Sequence, residues 1–292
     1  MGGARAIFAF CDLSGLDLSG HSLADADFTG AILEETNLGC SRLDSASFFG
    51  ADLRRANLKG ASIRRGDIQR TCLRGANLIG ARMDLAITDG ANMAGALTDT
   101  VSGCKVEELP LTIAELLEQH ARWVQTHGRE GQPADLPGVD LRGQVNLAQR
   151  ALTALIAPGA IFCGLNLEGG SPQGSNLSGA DLRCTKLNGA DLRGVNFCNA
   201  KLGSADLRDA KLGPLLISDA RMLPARFDRA QVRYADFCGA ELRRTIFRET
   251  DLSYPTLTDF DLNEADLSSA VLTGARLPPM VAENLSAFTS AG

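Results

Sequence analysis

Large apolar residues recur at every fifth position of this chain, and few folds accommodate that period. Leu13, Leu18, Leu23, Phe28, Leu33, Leu38, Leu43, Phe48, Leu53 and Leu58 all obey it. One register runs from Phe8 to Met93 and a second from Leu147 to Leu277, giving 45 pentapeptides. At the centre, 42 of the 45 carry Leu, Ile, Val, Met or Phe; Thr88, Ala157 and Pro172 are the exceptions. Two residues earlier, 25 of the 45 are Ala, and Ser, Thr, Gly and Cys recur among the rest. A helix repeats every 3.6 residues and a strand every 2, so neither keeps such a pattern on one face. A chain that turns a corner every five residues does. The central residue and the one two before it then point inward, one large and one small, as a narrow tube requires. Asp, Asn, Arg, Ser and Gly fill the outward positions, where tight turns suit them.

A longer period sets the size of the coil. Phe8, Phe28 and Phe48 are spaced by 20, as are Phe227 and Phe247, and Phe197 and Phe237 are spaced by 40. Large residues stacked at every fourth repeat predict four sides per turn. Outward charges follow the same spacing: Asp181, Lys201, Arg221, Glu241 and Asp261 form one expected column, and Lys186, Asp206 and Arg226 another. Opposite charges one coil apart would lie ~4.8 Å from each other. Such a core explains why apolar residues reach 45% while aromatics stay at 5%.

Ala51-Asp52-Leu53, Ala76-Asn77-Leu78, Ala180-Asp181-Leu182, Ala190-Asp191-Leu192 and Ala265-Asp266-Leu267 match A(D/N)LXX. In this the chain resembles the pentapeptide-repeat family over about 225 of its 292 residues. The resemblance implies an all-β solenoid, a right-handed quadrilateral β-helix with four pentapeptides per coil. Here it would be interrupted by one inserted α-helix.

The repeat fails between Met93 and Leu147. Thr112 and Glu115 form a capping box, and Gly128 and Pro133 close the segment, which predicts a helix over 111–127. Ile113, Leu117, Ala121 and Val124 make an apolar stripe, widened by Leu116 and by the chain's one Trp, Trp123. The stripe docks on the repeat stack, plugs a discontinuity between two stacks, or binds a partner, with Leu116, Trp123 and His127 as the candidate contacts. The expected organisation is a first stack over 1–102, a helical insertion over 103–138, a second stack over 139–277 and a C-terminal segment over 278–292. A one-residue bulge at Gly143-Gln144 accounts for the shifted register after Leu141. Met280, Val281, Leu285 and Phe288 form an apolar set that either caps the solenoid's open end or pairs two copies. Homodimerisation through that segment is similar to what some family members do.

Few catalytic signals accompany the repeat. The net charge of −6 splits into −2 for 1–102, −3 for 103–138 and −1 for 139–292, which excludes binding to nucleic acid or membrane by bulk positive charge. Eight cysteines show no metal-ligand spacing, and no secretory segment is evident, so free thiols in the cytoplasm are expected. No apolar run is long enough to insert in a membrane. His21 falls on a small inward position and reads as a core residue. His120 and His127 lie seven apart, wrong for an i,i+4 metal pair. Neither a GxSxG elbow nor a phosphate loop occurs. Cys163 and Cys184 are expected as neighbours on successive coils. No catalytic residue, metal or cofactor is therefore assigned.

One surface feature breaks the alternation of charge. Arg54, Arg55, Lys59, Arg64, Arg65, Arg70 and Arg74 lie within 21 residues, with Arg54 and Arg74 expected in one column. They form either a solvated collar or a patch for an acidic partner. Two functions stay open. The first is a non-enzymatic scaffold for an unidentified protein partner. The second comes from the family resemblance: a DNA-mimicking modulator of a type II topoisomerase such as gyrase, as in quinolone protection.

Overall fold

A computed structural model describes residues 5–99, 104, 106–142, 146–218, 220–257 and 261–275. The chain divides into two compact units, Met1–Ser102 and Gly103–Gly292. Each has its own apolar core.

The pentapeptide geometry begins at its corners. The last residue of each unit takes a positive φ, for example 64° at Gly50, 58° at Arg55 and 59° at Leu85. The central carbonyl accepts a hydrogen bond from the N–H three residues on, as in Ala51 N–H to Phe48 O at 2.9 Å. This is a turn that needs its third residue in the left-handed region. Asp carboxylates two residues before the turn support it, Asp12 accepting from Ser14 N–H at 3.0 Å. The straight edges between corners pair with neighbouring coils as isolated parallel bridges.

In the first unit every bridge joins residues 20 apart, from Ile7–Asp27 to Asn77–Leu97, so four pentapeptides make one coil. Phe8, Phe28 and Phe48 stack along the axis, with centroids 5.1 and 4.8 Å apart. Where the small inward residue is Thr or Ser, its hydroxyl finds a carbonyl: Thr36 bonds Leu13 O, Thr71 bonds Phe48 O and Ser175 bonds Leu152 O, all in the preceding coil, while Ser41 bonds Leu38 O in its own. That satisfies a buried polar group inside the tube. Ala157 is no breach of the pattern, since Leu155 and Ala157 are both buried with the large and small roles exchanged. His21 departs from expectation. It lies on the outermost described coil, is exposed, and places Nδ1 3.0 Å from Ser19 O.

The second unit starts with a helix. A short 3-10 turn over Val106–Glu108 leads into α1, Ile113–Gln125. Thr112 caps α1, and the capping box with Glu115 is present. At the other end both His127 (φ 54°) and Gly128 (φ 82°) take a positive φ. The N–H of His127 reaches Val124 O and that of Gly128 reaches Trp123 O, a Schellman closure. Ile113, Leu117 and His120 are buried in the core of this unit, with Leu116 packed half-buried against it. Asp140 pairs with Ile161, an offset of 21, whereas Ala151 pairs with Ser171 at 20. The register therefore shifts by one residue between these two pairs; the bulge expected at Gly143-Gln144 lies outside the described residues.

Further on, the sequence register misleads. Residues 213–222 continue the period of five but do not enter the coil. They form a hairpin of β1, Leu215–Ser218, and β2, Arg221–Leu223, with Leu215 opposite Leu223 and Leu216 opposite Met222. The cause is proline. Pro214 and Pro224 both fall on corner positions, and a ring that locks φ near −65° cannot take the corner conformation. Two pentapeptides are thereby looped out, and bridges across the break join residues 30 apart, Asn196–Arg226 and Lys211–Glu241 among them. The expected charge columns change with them. Lys201 stands beside Gln231 rather than Arg221, and Asp206 beside Asp236 rather than Arg226. Phe197 stacks on Phe227 at 4.8 Å and Phe227 on Phe247 at 4.9 Å; Phe237 meets both Phe227 and Phe247 edge-on instead of sharing Phe197's column.

Candidate functional site

The arginines that crowd the sequence are distributed around the coil. Arg54, Arg55 and Arg74 share one corner column, whereas Arg64 and Arg65, ten residues on, stand half a coil away. Arg55 pairs with both Glu34 and Glu35 of the preceding coil, and Arg54 with Asp52 at 2.7 Å. Arg64 reaches Asp84 at 3.2 Å, and Arg70 lies over the Phe49 ring at 5.6 Å. Three of the seven cations, Arg54, Arg55 and Arg64, are thus paired with carboxylates.

A related device went unnoticed in the sequence. In Asp-Leu-Arg triplets the two outward residues flank one inward Leu and therefore project side by side. Arg142 binds Asp140, Arg183 binds Asp181, Arg193 binds Asp191 and Arg208 binds Asp206, each at 2.5–2.7 Å between a terminal guanidinium nitrogen and a carboxylate oxygen. Burial raises the Asp191 carboxyl, but hydrogen bonds from Arg193 and Gln173 outweigh it and hold it below the usual range. Asp206 is lowered in the same way, burial opposing the stronger bonds from Arg208. Cys163 lies beside these pairs and near Cys184, fully buried, and burial pushes its thiol well up. A protonated, inaccessible thiol is a poor nucleophile.

On α1, Trp123 is half-buried and stacks on His120 with centroids 5.9 Å apart, while His127 is exposed at the helix end. His120 is buried, its Nδ1 accepting from Ala134 N–H at 3.0 Å. Nε2 has no partner in good hydrogen-bond geometry, although the Leu152 backbone lies near it. Burial lowers the imidazole pKa, and the Leu152 backbone offsets part of that. The apolar stripe of α1 thus serves the interior of its own unit, with Leu116 and Trp123 in the packing.

The β1–β2 hairpin presents a different surface. Leu215 and Leu223 face Gly194, where an added Cβ would come within 2.9 Å of Leu215 and 3.1 Å of Leu223. Leu216 (63%), Ile217 (53%) and Met222 (49%) are exposed on the same hairpin, Leu216 and Met222 as cross-strand partners. Arg244 approaches Met222 Sδ at 3.6 Å and, with Arg243, binds Glu264 at 2.6 and 2.9 Å. Those two bonds hold the Glu264 carboxyl below its usual range. The apolar interior void lined by Phe237, Leu242, Phe247 and Leu252 measures about 10 Å³, too little for a ligand. Among the described residues no group of three or more His, Cys, Asp or Glu could hold a metal, and no helix is long and apolar enough to cross a membrane. Met280, Leu285 and Phe288 lie outside the described residues.

A four-sided solenoid with a small and a large residue on each inner edge defines a β-helical repeat protein. The family model for pentapeptide repeats matches in eight copies, over residues 6–39, 41–80, 174–213 and 225–254, and the chain belongs to the pentapeptide-repeat family. The match stops at 213 and resumes at 225, on either side of the hairpin. No curated protein matches the chain significantly. Among solved structures it is similar to HetL, a pentapeptide repeat protein involved in heterocyst differentiation regulation in the cyanobacterium Nostoc sp. strain PCC 7120. That likeness is 23% identity over 94% of each chain, with a TM-score of 0.36. It is similar to Rfr23 of the cyanobacterium Cyanothece 51142 at 31% identity, over 31% of this chain and 62% of that one, with a TM-score of 0.31. Against QnrB1, a plasmid-mediated fluoroquinolone resistance protein, identity is 16% over 98% of each chain and the TM-score 0.28.

Proposed function

We propose that this chain is a non-enzymatic scaffold that binds another protein through its outer surface, with its β-helix wound right-handed as the family resemblance implies. The carrying observation is the hairpin. Three large apolar side chains stand exposed within seven residues, on an element that the coils do not need for closure. Inward residues are committed to packing, and burial of the Cys163 thiol and the His120 imidazole disfavours their charged forms. None of the eight cysteines is joined in a disulfide among the described residues, which suits a reducing compartment, and we place the chain in the cytoplasm. Fractionation of cells producing it checks that assignment. The partner is sought by crosslinking in cells followed by titration calorimetry of the captured protein against the purified chain. Saturable binding supports the reading, and heat no larger than dilution contradicts it.

Modulation of a type II topoisomerase by DNA mimicry has no observation of its own in favour. Aspartates along the coils are widely paired with arginines, which works against a continuous acidic face. Homodimerisation through 278–292 stands as a separate proposal, checked by light scattering on the intact chain and on one ending at residue 277.

A further inference from the structure

We infer that the β1–β2 hairpin is the docking site for an extended, acidic segment of a partner protein that carries apolar residues on one face. This deepens the scaffold reading and rests on it. Three observations converge on that occupant. First, cross-strand neighbours in an antiparallel pair share a face, so Leu216 and Met222 project together on the side away from Leu215 and Leu223. Ile217, at the register irregularity between Leu216 and Ser218, is exposed as well. Second, the sheet has only two strands, and residues 214–224 make no backbone hydrogen bonds beyond the hairpin itself among the described residues. Its outer edges are open to a further strand, which main-chain groups would hold and apolar contacts would select. Third, basic groups gather at the hairpin. Arg244 touches the Met222 sulfur, Arg243 adjoins Arg244, and Arg221 is exposed on the same strand, while Glu264 is the carboxylate paired with Arg243 and Arg244 among the described residues. A segment alternating acidic and apolar residues matches both the face and the field.

Leu215 and Leu223 close over Gly194, which seats the inner side of the hairpin against the coil. The hairpin can therefore be altered on its outer side without disturbing the inner one.

The test uses the purified full chain and fluorescein-labelled peptides of about twelve residues, long enough to pair along either strand. One alternates Leu with Glu, a second Leu with Lys, and a third Ser with Glu. Fluorescence anisotropy is expected to show the Leu/Glu peptide binding at least about tenfold more tightly than either of the others. Replacing Leu216, Ile217 and Met222 together by Ser should cost about tenfold or more, and Arg221→Glu several-fold, with the melting temperature unchanged in both. Equal binding of the acidic and basic peptides overturns the proposal, as does binding that survives the triple Ser variant. Self-association of the chain through the hairpin, seen by sedimentation in place of peptide binding, overturns it as well. A cellular partner captured equally by the triple Ser variant would sink this site and leave the scaffold reading intact. Absence of any partner for the intact chain would instead contradict the scaffold reading, while the peptide measurement stands independently of it.

Discussion

Each pentapeptide sets three requirements on individual residues: a large centre, a small companion two positions earlier, and a corner that tolerates positive φ. Leu207 meets the first and is fully buried. Leu207→Asp should be severely destabilising, since it puts an unpaired charge inside the tube. A wild-type melting temperature in that variant would contradict the assigned register. Thr250 shows the second requirement met by a polar residue, its buried hydroxyl bonding Phe227 O at 2.6 Å. Thr250→Val keeps the shape and removes the bond, so a loss of about 1 kcal/mol is expected in urea unfolding. No change would mean the hydroxyl contributes nothing. The third requirement was the least legible. Apolar periodicity identifies centres without regard to φ, so Ile217 and Met222 read as inward residues while Pro214 and Pro224 already forbade the corners beside them.

At the scale of elements, local chemistry was readable where it is local. The capping box of Thr112 and Glu115 announces α1 correctly, because both partners lie within one turn. That His120 joins Ile113 and Leu117 in the buried face could not be read, because its acceptance of the Ala134 N–H depends on a segment fourteen residues away. The folded pKa of His120 is lowered, so the unfolded chain binds the proton more readily. Its contribution is fully present above about pH 6.5 and is lost as pH falls through the lower folded value. Trp123, the chain's one tryptophan, stacks on this ring and should report the change, with fluorescence steady through neutral pH and altered only below the ordinary imidazole value of about 6.5. A flat profile down to pH 4, or one unaffected by His120→Gln, would contradict it. The hairpin makes a sharper prediction. Removing 213–222 together with Pro224→Gly should leave a regular corner between Leu212 and Phe227, preserve the Phe197–Phe227 stack and unfold cooperatively. The same deletion with Pro224 retained should be less stable by ~1–3 kcal/mol, because the corner conformation is then blocked. Equal stability of the two would remove proline as the cause of the excursion.

Across the whole molecule, depressed carboxylates recur in both units: Asp27 and Asp44 in the first, and Asp191, Asp206 and Asp228 in the second. Since their folded pKa values lie below the unfolded value of about 3.9, their stabilisation is complete above that pH and disappears as pH falls through the folded values. Melting temperature should therefore decline steeply below about pH 4, and a rise on acidification would contradict the Asp–Arg pairing. Purified chain at micromolar concentration should leave gyrase supercoiling unchanged; inhibition or protection from a quinolone would bring the DNA-mimic reading forward. The central claim, that the chain acts by binding a protein at the element its coils exclude, is tested most directly by site-specific photocrosslinking in cells. A benzophenone side chain at position 216 should give a discrete protein adduct that the Leu/Glu peptide competes away, while the same group at the exposed corner position 85 gives none. Silence at 216, or identical adducts from both positions, would contradict it.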